Sequence, residues 1–165
     1  MAKDPKKLEQ VGEDFLADRS KVKTVSHEFP FPPEVVWAAL LDGETWTKWL
    51  PITRVEWTSP QPFRVGTTRT VWIGKQVVDE YFFAWEDNKR MAFRFDRTTL
   101  PVKAAVEDYQ VHETENGCRL DWYFRVKAPF LLGPLISGQM TSGLKKGLPQ
   151  LEAYIRDNPA KFGVG

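Results

Sequence analysis

From Ala128 to Arg156 the apolar positions recur with the period of an α-helix, whereas over most of the chain before it they recur with the period of a β-strand. At about 100° per residue, Ile136, Met140, Leu144, Leu148, Leu151 and Ile155 form one stripe. Ser142, Lys145, Lys146, Gln150, Glu152 and Arg156 lie opposite. Gly143 and Gly147 fall within the apolar stripe, where each costs roughly 1 kcal/mol against Ala. Missing side chains on a buried face have two readings: a hollow that holds a ligand, or close packing against large aromatics. Both stay open at this point.

The earlier segments predict seven strands. Residues 22–29 place Val25, His27 and Phe29 on one side. PFPPEVVWAALLD then reads as a short helix, with Pro32 and Pro33 at its first turn, Glu34 complementing its dipole, and Val36, Trp37, Leu40 and Leu41 as its apolar face. GETWTKWL reads as a second short helix that stops before Pro51. From Pro51 the period drops to two. ITRVEWTS, VGTTRTVWI, QVVDEYFFAWE, RMAFRFDR, residues 102–114 and CRLDWYFRV follow, with Gly74-Lys75 and Glu115-Asn116-Gly117 as turns. Tyr81 to Trp85 is apolar on both faces, which implies cover on both sides or strong curvature. Residues 1–21 are polar apart from Leu8, Val11, Phe15 and Leu16, and predict an arm or short peripheral helix. Residues 157–165 predict a flexible tail. The natural arrangement is α+β: one curved seven-stranded antiparallel sheet gripping one long C-terminal helix, with two short helices after the first strand.

Composition narrows the function classes. The chain has 165 residues, 42% hydrophobic and 27% charged, which suits one folded domain. The formal net charge of +1 makes no electrostatic case for nucleic acid or an anionic membrane. No apolar run approaches the ~20 residues of a membrane span. The charged start, MAKDPKKLEQ, has no signal-peptide core, so a cytoplasmic location is expected. Seven Trp, eleven Phe and four Tyr suit either a β core or the lining of a small-molecule pocket.

No catalytic motif stands out. His27 and His112 lie on different strands without metal-ligand spacing. Asp108 precedes His112 on one strand and is expected on the same face. Cys118 alternates with Arg119 and reads as a buried filler. No nucleophile elbow, phosphate loop or dinucleotide fingerprint is present. No catalytic residue, metal ligand or cofactor is therefore assigned. More informative are charged residues that alternate with apolar ones. Arg69 shares a face with Val71 and Ile73, Glu80 with Val78 and Phe82, and Glu107 with Ala105 and Tyr109. A charge in an apolar interior must be paired or have a shifted pKa. An inward Arg69 with Glu80 or Glu107 could orient a carboxylate or carbonyl; outward, each would simply meet solvent.

Five segments together resemble the START-like, or SRPBCC, superfamily with the helix-grip fold, typified by birch-pollen-allergen-like proteins. They are VSHEFPFPPEVVWAALLD, ETWTKWLP, RVGTTRTV, ENGCRLDW and APFLLGPLISGQM with GLPQLEAYI. The resemblance spans residues 22–156 and is strongest to the polyketide cyclase/dehydrase and lipid transport branch. It implies an apolar cavity between sheet and C-terminal helix that takes a lipid, polyketide or aromatic molecule. On that reading the lining residues are Trp57, Arg69, Val71, Glu80, Phe82, Phe93, Phe95, Glu107, Tyr109, Trp122, Phe124, Met140, Gly143, Leu144 and Gly147. Trp37, Trp46 and Trp49 are expected to pack the short helices at one end. The implied partner is a small hydrophobic molecule, with the protein a monomer or weak homodimer. The alternatives are a cyclase/dehydratase-type enzyme, or an interaction module such as an Hsp90-activator-like or toxin-antitoxin component. Two features depart from the pattern: the long N-terminal segment, and Pro149 inside the terminal helix, where it removes the bond to the Lys145 carbonyl.

Overall fold

A computed structural model describes residues 3–164. Eight strands form one antiparallel sheet: β1 (Lys6–Lys7), β2 (Lys23–Phe29), β3 (Arg54–Trp57), β4 (Thr68–Ile73), β5 (Gln76–Glu86), β6 (Arg90–Thr98), β7 (Ala104–Thr114) and β8 (Gly117–Lys127). Their order is β2-β8-β7-β6-β5-β4-β3, with β1 beside β6. The seven strands expected from alternation are all present. The additional β1 pairs Lys6 with Thr98 and Lys7 with Arg97, along the stretch of β6 beyond its pairing with β7, which ends at Arg94. Two exposed lysines carry no periodic signal, so this pairing leaves no trace in the hydrophobic pattern.

Helix α1 (Pro33–Leu41) follows β2, and a 3-10 turn (Thr45–Lys48) stands in place of a second short helix. Helix α2 (Leu132–Asp157) packs on β2, β8 and that turn. It starts four residues later than the period change, because Ala128 to Leu131 turn the chain off β8 first. Shifts of register within β5, between Asp79 and Glu80 and between Phe82 and Ala84, mark bulges; bulges bend a strand and increase its twist. At the β7–β8 turn Gly117 has φ +152°, and a Cβ there would stand 2.1 Å from the Phe29 carbonyl oxygen. Only glycine fits so close to the backbone.

Both faces of the sheet are covered in its middle, as Tyr81 to Trp85 implied. The inner face, toward α2, carries Val78, Phe82, Met91, Phe93, Tyr109, Leu120, Trp122 and Phe124, all at 2% exposure or less. On the outer face Ala104 and Val106 are buried under Phe15 and Leu16 of the N-terminal segment, with Val11, Val22 and Phe83 around them. A 3-10 turn at Glu13–Leu16 delivers those two side chains. Arg125 fixes the segment: its guanidinium lies 4.1 Å from the Phe15 ring centroid, and Nη1 donates to the Phe15 carbonyl at 2.8 Å.

The C-terminal residues are docked rather than loose as far as Val164. A 3-10 turn spans Pro159–Phe162, Phe162 is buried against the main core, and the Lys161 ammonium lies 3.1 Å from Asp42. The polar composition of the tail hides one anchoring aromatic and one anchoring cation. The ends of the predicted arm and tail, residues 1–2 and 165, lie outside the described residues.

If the N-terminal segment is part of the core, Phe15→Ala costs about 3 kcal/mol of unfolding free energy, read from urea denaturation. A change below about 0.5 kcal/mol would mean that the segment is an appendage.

Candidate functional site

The alternation that puts Arg69 and Glu80 on the inner face also sets them opposite each other, because Arg69 of β4 is the register partner of Glu80 of β5. The Arg69 Nε donates to Glu80 Oε2 at 2.6 Å, and both side chains are nearly inaccessible, at 2% and 5%. Register extends this pair into rows across the sheet. Trp57 opposes Arg69 and Phe95 opposes Glu80. In the next row Phe82, Phe93, Glu107 and Phe124 stand opposite one another in turn. Met91, Tyr109, Trp122 and Val25 make the third.

The guanidinium of Arg69 sits in a box of aromatic rings. Its central carbon lies 5.0 Å from the ring centroids of Trp46 and of Trp57, 5.1 Å from Phe93 and 5.2 Å from Phe82. Ring faces attract a cation, the more so where water is excluded. Hydrogen bonding is incomplete. Arg69 Nη1 has no partner, alone among buried side-chain nitrogen and oxygen atoms of the described residues. An unsatisfied buried donor costs about 1–3 kcal/mol.

Burial dominates the protonation of the carboxyls. Desolvation lifts Glu80 above its ordinary range even though Arg69 pulls against it. Burial opposes the charge on Arg69 too, but Glu80 and Tyr109 outweigh it and hold its pKa above the ordinary value. Glu107 is pushed up to about 8, first by burial and then by the charge of Glu80. The Trp122 indole Nε1 donates to Glu107 Oε1 at 2.7 Å. A protonated Glu107 therefore keeps an O–H to donate while its carbonyl oxygen accepts from Trp122. Burial also raises the Tyr109 phenol well above its usual value. Near neutral pH the interior holds three polar hydrogen-bearing groups, an Arg69 N–H, the Glu107 O–H and the Tyr109 phenol beside Arg69, inside an aromatic wall.

The interior around these groups is filled. Trp46 lies 5.4 Å from Trp49, 6.1 Å from Tyr109 and 5.8 Å from Trp122, centroid to centroid. Its indole Nε1 donates to the Leu40 carbonyl at 3.0 Å. Trp46 thus stands inside the site beside Arg69, with Trp49 against it and Trp122, not only beneath the short helices. Their place could not be read from periodicity, since a single 3-10 turn has no repeating face. Trp57 is half-buried, donates Nε1 to the Leu41 carbonyl at 2.8 Å, and stacks on Phe63.

On α2 the expected lining residues part company. Leu144 is buried in the core with Leu148, Leu151 and Ile155, whereas Met140 is only partly buried. A Cβ on Gly147 would stand 2.8 Å from the Trp49 carbonyl oxygen and 2.9 Å from Trp49 Cε3, while around Gly143 nothing lies within 4 Å. The two glycines therefore answer the question differently. Gly147 serves close packing and Gly143 faces open space. The expected lining residues do not line a groove of about 1000 Å³ that runs between the N-terminal half of α2 and the ends of β2 and β8. Asp108 and His112 share one face of β7, the outer one, but have different partners: Asp108 Oδ2 lies 2.9 Å from Arg90 Nη2. His112 instead lies 3.2 Å from Asp121. Cys118 is fully buried, and burial lifts its thiol to about 12.

Two measurements check this geometry. Gly147→Ala forces Trp49 to move and costs about 1–3 kcal/mol, whereas Gly143→Ala gains up to about 1 kcal/mol from helix propensity; equal effects in thermal unfolding would contradict the packing described. For Glu107, the native state holds its proton up to about pH 8, while the unfolded chain releases it near the ordinary value of 4.5. Its contribution to stability is full below that lower value and is lost as pH rises through the window. The slope reaches as much as about 1.4 kcal/mol per pH unit. Glu107→Gln should flatten the fall, and denaturant unfolding from pH 5 to 8 (roughly the window set by burial) reads it. Parallel wild-type and variant profiles would mean that Glu107 is ionised.

The family described as polyketide cyclase / dehydrase and lipid transport matches residues 22–156. An uncharacterised protein of Mycobacterium bovis is 41% identical over 156 residues, covering 88% of this chain and 91% of the relative. An uncharacterised protein of Mycobacterium tuberculosis matches to the same extent. Among solved structures, a START superfamily protein from Mycobacterium smegmatis superposes with a TM-score of 0.69 at 12% identity, over 82% of this chain and 97% of that one. Ara h 8.0201 superposes at 0.64 with 14% identity, over 82% of this chain and 97% of that one. The antiparallel sheet, the long C-terminal helix and the family match over residues 22–156 agree, and the chain belongs to the polyketide cyclase/dehydrase and lipid transport family, with the START-like helix-grip fold.

Proposed function

We propose that this protein binds a small hydrophobic molecule between the inner face of the sheet and α2, with the polar end of that molecule on Arg69 and Glu107. The observation that carries the reading is the unpartnered Nη1 of Arg69, buried among aromatic rings beside an acid held neutral. Family membership supports it. Because Arg69 is already neutralised by Glu80, the reading favours a neutral acceptor, a carbonyl or hydroxyl oxygen on an apolar frame such as a polyketide or aromatic ketone. Trp46 and Trp49 fill the space, so binding requires the Thr45–Lys48 turn to shift, breaking the Trp46 bond to Leu40 and the Thr45 bonds to Asp42. The partly buried Trp57, Leu50, Ile52 and Met140 would then complete the wall.

Two further readings have an observation each. Cyclase- or dehydratase-type chemistry would use the same pair, Arg69 polarising a carbonyl oxygen and Glu107 delivering a proton to it. An interaction module is favoured by the solid packing of Trp46, Trp49 and Trp122. Binding separates the first two from the last.

The test is a tryptophan-emission titration with anthrone, a tricyclic aromatic ketone, and with dodecanoic acid. Wild type should saturate with anthrone. Replacing both charges, Arg69→Met with Glu80→Leu, should leave stability unchanged or raised, as for other buried pairs exchanged for apolar residues, yet weaken anthrone about tenfold or more, the worth of one good hydrogen bond to a charged group. A charge pair serving only the fold would leave affinity unchanged in the double variant.

A further inference from the structure

A net charge of +1 conceals a strong local asymmetry. The groove of about 1000 Å³ between α2 and the ends of β2 and β8 is lined by Lys21, Lys23, Arg125, Lys127, Lys145 and Lys146, and among the described residues no acidic one lines it. Lys21 also contacts Asp18, at 3.4 Å, and Lys127 contacts Glu9, at 3.1 Å. Arg125 is held by Phe15. Lys23, Lys145 and Lys146 have no carboxylate within 4 Å among the described residues. Hydroxyls of Ser137, Thr141 and Ser142 line the same groove.

At its end lies an apolar lip. Phe130 is 91% exposed, Leu131 70%, Leu135 56% and Leu132 36%. These are four of the five exposed large hydrophobics among the described residues, and they fall within six residues of sequence. Phe130 also holds φ +35°, a conformation that side chains other than glycine rarely adopt. The N-terminal half of α2 that follows is weakly seated: Ile136 and Met140 are only partly buried, and Gly143 meets nothing. Contiguous exposed apolar surface marks an interaction site. Lysines beside it select for negative charge. Aromatic and leucine side chains at the rim of a cationic surface match the boundary between phosphate headgroups and acyl chains.

We propose that the groove and the Phe130–Leu135 lip form a docking surface for a bilayer carrying anionic phospholipids, with the lysines on the phosphates and the lip in the interface. This stands apart from the proposed interior site, since no residue assigned there lines the groove.

The experiment is co-sedimentation of the whole protein with vesicles of phosphatidylcholine alone or with about 30% phosphatidylserine, a charge density that gives a strongly negative surface. At about 0.1 M salt, where screening extends over ~10 Å, the protein should sediment with the mixed vesicles and stay in solution with phosphatidylcholine alone. Added salt should release it. Lys23→Glu/Lys145→Glu/Lys146→Glu and, separately, Phe130→Ser/Leu131→Ser should each weaken binding about tenfold or more. Both sets change exposed residues, and unchanged circular dichroism and unfolding temperature verify folding. Three results would overturn the proposal: no binding to the mixed vesicles, binding that neither variant weakens, or use of the same face by another partner. The last would show as wild-type dimers in sedimentation equilibrium that Phe130→Ser/Leu131→Ser dissociates, or as binding to a single-stranded oligonucleotide but not to vesicles.

Discussion

The inner architecture turns on one buried charge. Arg69 is removed from water by four aromatic rings and compensated by one carboxylate directly across the strand pair. Removing one partner of such a pair costs about 3–5 kcal/mol, whereas exchanging both for apolar residues is often neutral. Stability alone therefore does not require the pair. What it adds is a fixed direction for polarity inside a hydrophobic volume. The guanidinium attracts ring faces from β3, β5, β6 and the Thr45–Lys48 turn to one point, and the charge of Glu80 helps hold a proton on Glu107.

Much of this was legible along the chain, and the reason is the strand period. Arg69 alternates with Val71, Glu80 with Phe82 and Glu107 with Tyr109, and a side chain that alternates with inward residues is itself inward. The register that sets Arg69 against Glu80 follows from the two-residue turn at Gly74-Lys75, from which β4 and β5 pair without interruption, whereas the bulges that offset β5 against β6 leave no mark in the alternation. Trp46, beside Arg69, and Trp49 behind it were hidden for another reason: they sit on and at the end of one 3-10 turn, where no repeating face exists. Ala104, Val106 and Asp108 are buried on the outer face because a distant segment covers them, and local pattern is blind to distant cover. Gly143 and Gly147, equal on a helical wheel, differ because only Gly147 lies under Trp49.

Helix α2 joins two environments that a single amphipathic stripe does not distinguish. From Leu144 onward its apolar side is embedded, with Leu148, Leu151 and Ile155 at 1% exposure or less. Before Leu144 the helix leaves its apolar residues partly or fully exposed and presents hydroxyls to the basic groove. Net charge is equally uninformative about such a surface. Acidic residues elsewhere balance the sum, while screening confines each lysine's influence to about 10 Å at 0.1 M salt.

The central claim is that Arg69 presents a free donor to a ligand inside the fold, and the nitrogen resonances of its guanidinium report on that directly. In protein labelled with 15N-arginine, the Arg69 Nη signals are those lost in Arg69→Met. Addition of anthrone should move the Nη1 signal downfield and leave the Nε signal, already engaged with Glu80, nearly in place. Arg69 signals unchanged at saturating anthrone would contradict the account and leave the pair a feature of packing.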